Sequence, residues 1–232
     1  MKKGLFLSLL IICFLVMPLA AGAYTINDNY IGADNHSWGD VIGNPAYFGI
    51  DKMDVNFSSG NMVIDITTNY VNHIGLYETQ LGDLFISNDG WSPYGSTPYL
   101  SDNASNGESW EYAAVLGSSG TLSLYAISVG SIQLAYMPAT GSWIYRDGQE
   151  VQFTPNGGAA ALYTGSWSIN TSTNILHFEI DETLFSGKNL GFHWGMTCAN
   201  DIIEGGYPVP EPTTILLLGF GLLGLGLARR KS

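Results

Sequence analysis

Through the middle of this 232-residue chain, apolar and polar side chains alternate nearly one for one. A period of two puts every second residue on one face of an extended strand, so the pattern excludes helices and demands a sheet with one dry face. Met53, Val55 and Phe57 alternate with Asp54 and Asn56, and Met62, Ile64 and Ile66 alternate with Val63, Asp65 and Thr67. Ser58-Ser59-Gly60-Asn61 lies between them and predicts a hairpin. Residues 110–116 and 121–128 repeat the arrangement around Gly117-Ser118-Ser119-Gly120, and residues 167–169 and 175–180 around 170–174. Further strands are expected over 82–86, 131–137, 150–153 and 190–197, with a single helical turn at 181–185. A polar loop rich in Pro and Gly is expected from Trp91 to Glu108. Short strands between Gly, Asn and Ser turns predict an all-β fold, and an antiparallel two-sheet β-sandwich of jelly-roll type is the expected form.

The two ends differ from this body. Residues 1–23 carry Lys2 and Lys3, an apolar run and Ala21-Gly22-Ala23, which together predict a signal peptide with Tyr24 as the mature start. At the other end, Pro210-Glu211-Pro212 precedes an uncharged apolar run over 213–228 and then Arg229, Arg230 and Lys231. A helix can begin only after Pro212. Over 213–228 it would span about 24 Å, against a hydrocarbon core of roughly 30 Å, and the basic end would act as a stop. The expected division is a signal peptide over 1–23, a β-domain over 24–208, and a tail over 209–232 with a transmembrane helix.

Pro210, Glu211 and Pro212, the Gly-spaced apolar run, and Arg229 and Arg230 together resemble the PEP-CTERM sorting signal of Gram-negative bacteria. The resemblance implies export, processing by an exosortase, passage through the secretion machinery and the inner membrane, and association with extracellular polysaccharide. A second resemblance lies in the body. Gly39 to Gly43, Phe48, Ile50 and the later Gly191-Phe192-His193-Trp194 look like segments of carbohydrate-binding sandwich modules.

Charge narrows the partners. Five of the eight Lys and Arg residues lie in the end segments, as does Glu211 alone among the 20 acids. The body keeps Lys52, Arg146 and Lys188 against 19 acids, a net charge of −16. Such a surface excludes nucleic acid as a partner and is open to divalent cations. The mature body has one cysteine, Cys198, so it carries no internal disulfide, and burial of the lone thiol is expected.

Two groups of residues are candidate sites. Asp28, Asp40, Asn200, Asp201 and Glu204, with Asp34, offer the oxygen donors that calcium takes from loops, if the two ends of the body meet. Trp91 and Tyr94, flanked by Asp89 and Asp102, offer flat rings beside carboxylates, the combination that stacks on a sugar and bonds its hydroxyls. Catalysis has less support. Glu108 with Glu111, or Glu179 with Asp181, could form carboxylate pairs, but His36, His73, His177 and His193 are dispersed and no nucleophile elbow, metalloprotease or phosphate-loop motif is present. The expectation is a non-enzymatic exported surface or matrix protein. A glycan-active hydrolase or lyase, and a self-assembling matrix subunit, stand as alternatives.

Overall fold

The computed structural model describes residues 23–33, 39–136 and 144–209. The signal segment, Asp34, and the tail from Pro210 onward, with the expected helix over 213–228 and the motif residues Pro210, Glu211, Pro212, Arg229 and Arg230, lie outside the described residues. Among the described residues no helix is long and apolar enough to cross a membrane.

The chain folds through β1 (Tyr24–Asn27), one turn of helix α1 (Pro45–Phe48), β2 (Ile50–Ser58), β3 (Asn61–Thr68), β4 (Leu84–Ser87), β5 (Tyr112–Leu116), β6 (Thr121–Ala126), β7 (Gly130–Leu134), β8 (Glu150–Pro155), β9 (Tyr163–Asn170), β10 (Ile175–Asp181), β11 (Leu190–Gly195) and β12 (Ile202–Tyr207). Antiparallel ladders run unbroken across ten of them, in the order β1-β2-β3-β10-β9-β6-β5-β4-β11-β12. β7 and β8 form a separate hairpin. The all-β expectation holds in this form: one curled, barrel-like sheet with a cover, where two facing sheets were expected. The difference lies in the β3–β10 and β6–β9 ladders, which join segments more than a hundred residues apart in the first case and about forty in the second. Alternation reports which face is dry, not which strand pairs with which.

The predicted hairpins form. Ser58 pairs with Asn61, and the two residues between them take positive φ, 57° at Ser59 and 86° at Gly60. That is the two-residue turn whose twist suits adjoining strands, and glycine occupies its second position without a Cβ clash. The dry faces converge inside the curl. Met53, Val55, Met62, Ile64, Ile66, Leu122, Leu124, Leu176, Phe178, Phe192 and Trp194 are fully buried there. Side chains of this size contribute about 1.5–3 kcal/mol each when fully buried. Cys198 is buried with them.

The outside of the sheet is not uniform. β9 and β10 alternate between partly buried and more exposed or more buried positions, whereas every residue of β4 and β11 is buried. The reason is the cover. Phe153 of β8 packs with Phe85, Ala113 and Trp110, and Val151 packs with Tyr30, Ala199 and Ile202. Asp83 fixes the hairpin in place, accepting from Phe153 N (2.8 Å) and Leu116 N (3.0 Å). Burial pushes the Asp83 carboxyl up to about 6, against the pull of those two N–H donors.

The two edges of the sheet meet. β1 lies beside β12 with no ladder between them among the described residues. The Tyr24 and Tyr207 rings touch edge to face at 5.4 Å. Ile26 rests on Gly205, where a Cβ would stand 2.5 Å from Ile26 Cγ2. Tyr24 and Tyr207 therefore lie at the same end of the body.

Candidate functional site

The seam between β1 and β12 places the N-terminal and C-terminal acids together. Asp28 follows β1, Asp40 stands in the bend before α1, and Asp201 precedes β12. One carboxylate oxygen from each lies within 4.8 Å of the others. Asp201 is fully buried, and its two oxygens accept from Ile50 N (2.6 Å) and Ile202 N (3.0 Å). Asp40 is exposed at the rim. Asp28 has no such donors: both of its carboxylate oxygens are enclosed and without a hydrogen-bond partner. Asn200, also fully buried, donates from Nδ2 to Ile144 O (3.1 Å), and its Oδ1 is enclosed without a partner.

Arg146 is the base whose charge acts on all three acids. Its Nη2 donates to Asp40 O (2.6 Å) and Gly39 O (3.2 Å), fastening the 39–43 segment to the body. Burial first, then the charges of Asp201 and Asp40, push the Asp28 carboxyl up to about 9. Asp201 and Asp40 are also raised, chiefly by burial, and Arg146 opposes the rise at all three. Three carboxylates held this way favour a cation or retained protons over three bare charges.

Glu204 does not join them. Residues 202–207 form a strand, so a side chain three positions beyond Asp201 stands about 10 Å away on the opposite face. There Glu204 Oε1 accepts from Trp91 Nε1 (2.8 Å) and Oε2 meets His193 Nδ1 (3.1 Å). The other ring nitrogen of His193 meets Glu150 O (2.7 Å). Both ring nitrogens face acceptors, so the His193–Glu204 pair holds one proton beyond a neutral imidazole beside a carboxylate. Burial works against charge on His193, but the Glu204 hydrogen bond and charge, with Glu150, raise its pKa. Trp110 Nε1 donates to Glu150 Oε1 (3.3 Å). This network carried no sequence signal, since its members come from five separate segments.

The network holds the long loop. The Trp91 side chain lies over Gly206, where a Cβ would stand 3.2 Å from Trp91 Cβ. The Trp91 ring meets Tyr99 edge to face (5.3 Å), and Tyr99 stacks on Tyr30 (5.8 Å). Asp102 is buried, and its Oδ1 accepts from Tyr94 N (3.1 Å). Trp91 and Asp102 thus face inward as anchors of the loop. Asp89 is exposed and accepts from Ser87 Oγ (2.8 Å). Tyr94 faces outward, 54 % exposed. It borders an open groove of about 570 Å³ with Ser96, Thr97, Leu100 and Ser101.

The carboxylate pairs considered for catalysis serve local structure. Glu108 accepts from Ser92 N and Ser109 N, Glu111 from Asn88 N (2.9 Å), Glu179 from Asn61 Nδ2 (2.6 Å) and Asp181 from Thr183 N (2.8 Å).

Comparison with known families finds one match. The model of the PEP-CTERM protein-sorting motif matches residues 208–231. No curated protein and no solved structure matches the chain. The chain therefore carries an exosortase-recognised sorting motif, which marks it as exported and surface-directed.

Proposed function

We propose that the body of this surface-directed chain is a non-catalytic module that associates with extracellular polysaccharide through the outer side of the 91–108 loop. The observation that carries this reading is Tyr94, a ring held out to solvent on a loop pinned from beneath by Trp91, Asp102 and Tyr99. A ring presented on a pre-ordered loop binds at lower entropic cost than one that must be ordered on contact. The adjoining Ser96, Thr97 and Ser101 supply hydroxyls that can bond those of a sugar. A body with a net charge of −16 repels acidic polymers, so a neutral glycan fits better than an anionic one. The local duties of Glu108, Glu111, Glu179 and Asp181 support the absence of a catalytic pair.

The test is a binding screen of the purified chain, kept in detergent, against neutral and acidic polysaccharides. Selective retention by a neutral polymer, weakened about tenfold by Tyr94→Ala, is expected. Retention by none of the polymers, or retention untouched by Tyr94→Ala, would overturn the reading.

A further inference from the structure

Curling brings the two edge strands of the sheet together, but among the described residues no ladder hydrogen bonds close them. At one end the seam is closed by apolar contact, Tyr24 on Tyr207 and Ile26 on Gly205. At the far end the chain offers Asp28 from one edge, Asp201 from the other, and Asp40 from the bend before α1. Like charges across a seam push its edges apart, and Arg146 brings one positive charge against three acids, so a further cation or retained protons must offset the rest. Two observations beyond the acidity itself point to a ligand. Both oxygens of Asp28 are enclosed and have no donor, and so is Oδ1 of the fully buried Asn200 beside Asp201. Buried carboxylate and amide oxygens ordinarily find donors within the protein.

We infer that Asp28, Asp40 and Asp201 hold one calcium ion, which clasps the two edges of the sheet and closes the body after export. The donors are all oxygen, with no thiolate or imidazole among them, which selects a hard cation over zinc or copper. Oxygens within 4.8 Å of one another lie inside the span of a single calcium ion, whose opposite ligands stand about 4.6–5.2 Å apart. Asp40 at the exposed rim leaves room for water to complete six to eight ligands, which calcium tolerates and magnesium, with its strict octahedron, does not. Sites of extracellular modules work at about 0.1–1 mM calcium, so the seam stays loose where calcium is scarce and closes where it is abundant. This inference stands without the polysaccharide reading.

The test uses the purified chain in detergent, freed of metal with a chelator. Calcium titration by calorimetry is expected to give one ion per chain. Calcium at a hundred times its Kd raises Tm by about 5–10 °C, and equal magnesium does much less. Amide exchange slows in β1 and β12. Asp28→Asn removes the calcium increment, yet without calcium melts no lower than the wild type, because the amide is neutral like the proton-retaining Asp28 carboxyl it replaces. Asp40→Asn, at the exposed rim, serves as a second variant should Asp28→Asn fail to fold. No bound calcium and no shift up to about 10 mM, ten times the weakest of these sites, would overturn the clasp. So would an increment that survives the Asn variants. An equal response to magnesium would overturn the choice of ion, and slowed exchange confined to other strands would overturn the seam.

Discussion

Two regions of this molecule each gather three acids, and they solve the problem of burial differently. Beneath the 91–108 loop, Glu204 takes donors from Trp91 and meets His193, Glu150 takes one from Trp110, and Asp102 takes one from Tyr94. At the seam, Asp201 has backbone donors, but Asp28 has none. A carboxylate with its donors in place is part of the architecture. A carboxylate walled in without them is poised for a ligand, because the protein itself supplies nothing to replace water. Acid count alone would rank the two regions equally.

The sharpest way to break this comparison is Glu204→Ala. It leaves His193 and Trp91 Nε1 facing a hole, and a buried pair broken on one side loses about 3–5 kcal/mol. Urea unfolding should show that loss, and a loss under about 1 kcal/mol would mean the network is ornamental. Next is pH. The His193 pKa is raised above its ordinary 6.5, so its contribution is complete below about pH 6.5 and declines as pH rises through the folded-state value. Stability of the wild type should fall on the alkaline side, and the Glu204→Gln variant should lack that share of the slope. A slope unchanged in the variant would assign it to other groups. At the seam the effect is small. Without calcium, Asp28→Asn should change stability by less than about 1 kcal/mol, since a neutral amide replaces a carboxyl that already retains its proton at neutral pH. A large loss there would erase the distinction between the two regions. The smallest effect belongs to the rim. Tyr94→Ala should change stability by less than about 0.5 kcal/mol, as an exposed ring on an anchored loop. Thermal melting of the variant beside the wild type checks it.

Local pattern carried most of the strands. The hairpins β2–β3, β5–β6 and β9–β10 form around the turns that their Gly, Ser and Asn residues predict, and a helical turn forms at Glu182–Leu184. The two strands without a sequence signal are β1 and β12, the two sides of the seam. Four residues of β1 are too few to show a period. In β12 the pair Gly205-Gly206 reads as a turn, yet it is extended backbone kept bare for Ile26 and for Trp91. The gathering of Asp28, Asp40 and Asp201 was legible only on the condition that the chain ends meet. The exclusion of Glu204 followed from the unread strand between them.

By itself the sequence determined the strand content, the dry face of each hairpin, the charge of the body and the sorting motif at its end. These are short-range properties, set by side-chain period, turn residues and a contiguous signal. Tertiary structure alone decided that the strands make one curled sheet, that its edges meet, and which acids receive donors. Those depend on pairings between residues as far apart as 28 and 201, and the pairing is set by how the whole sheet closes over its core.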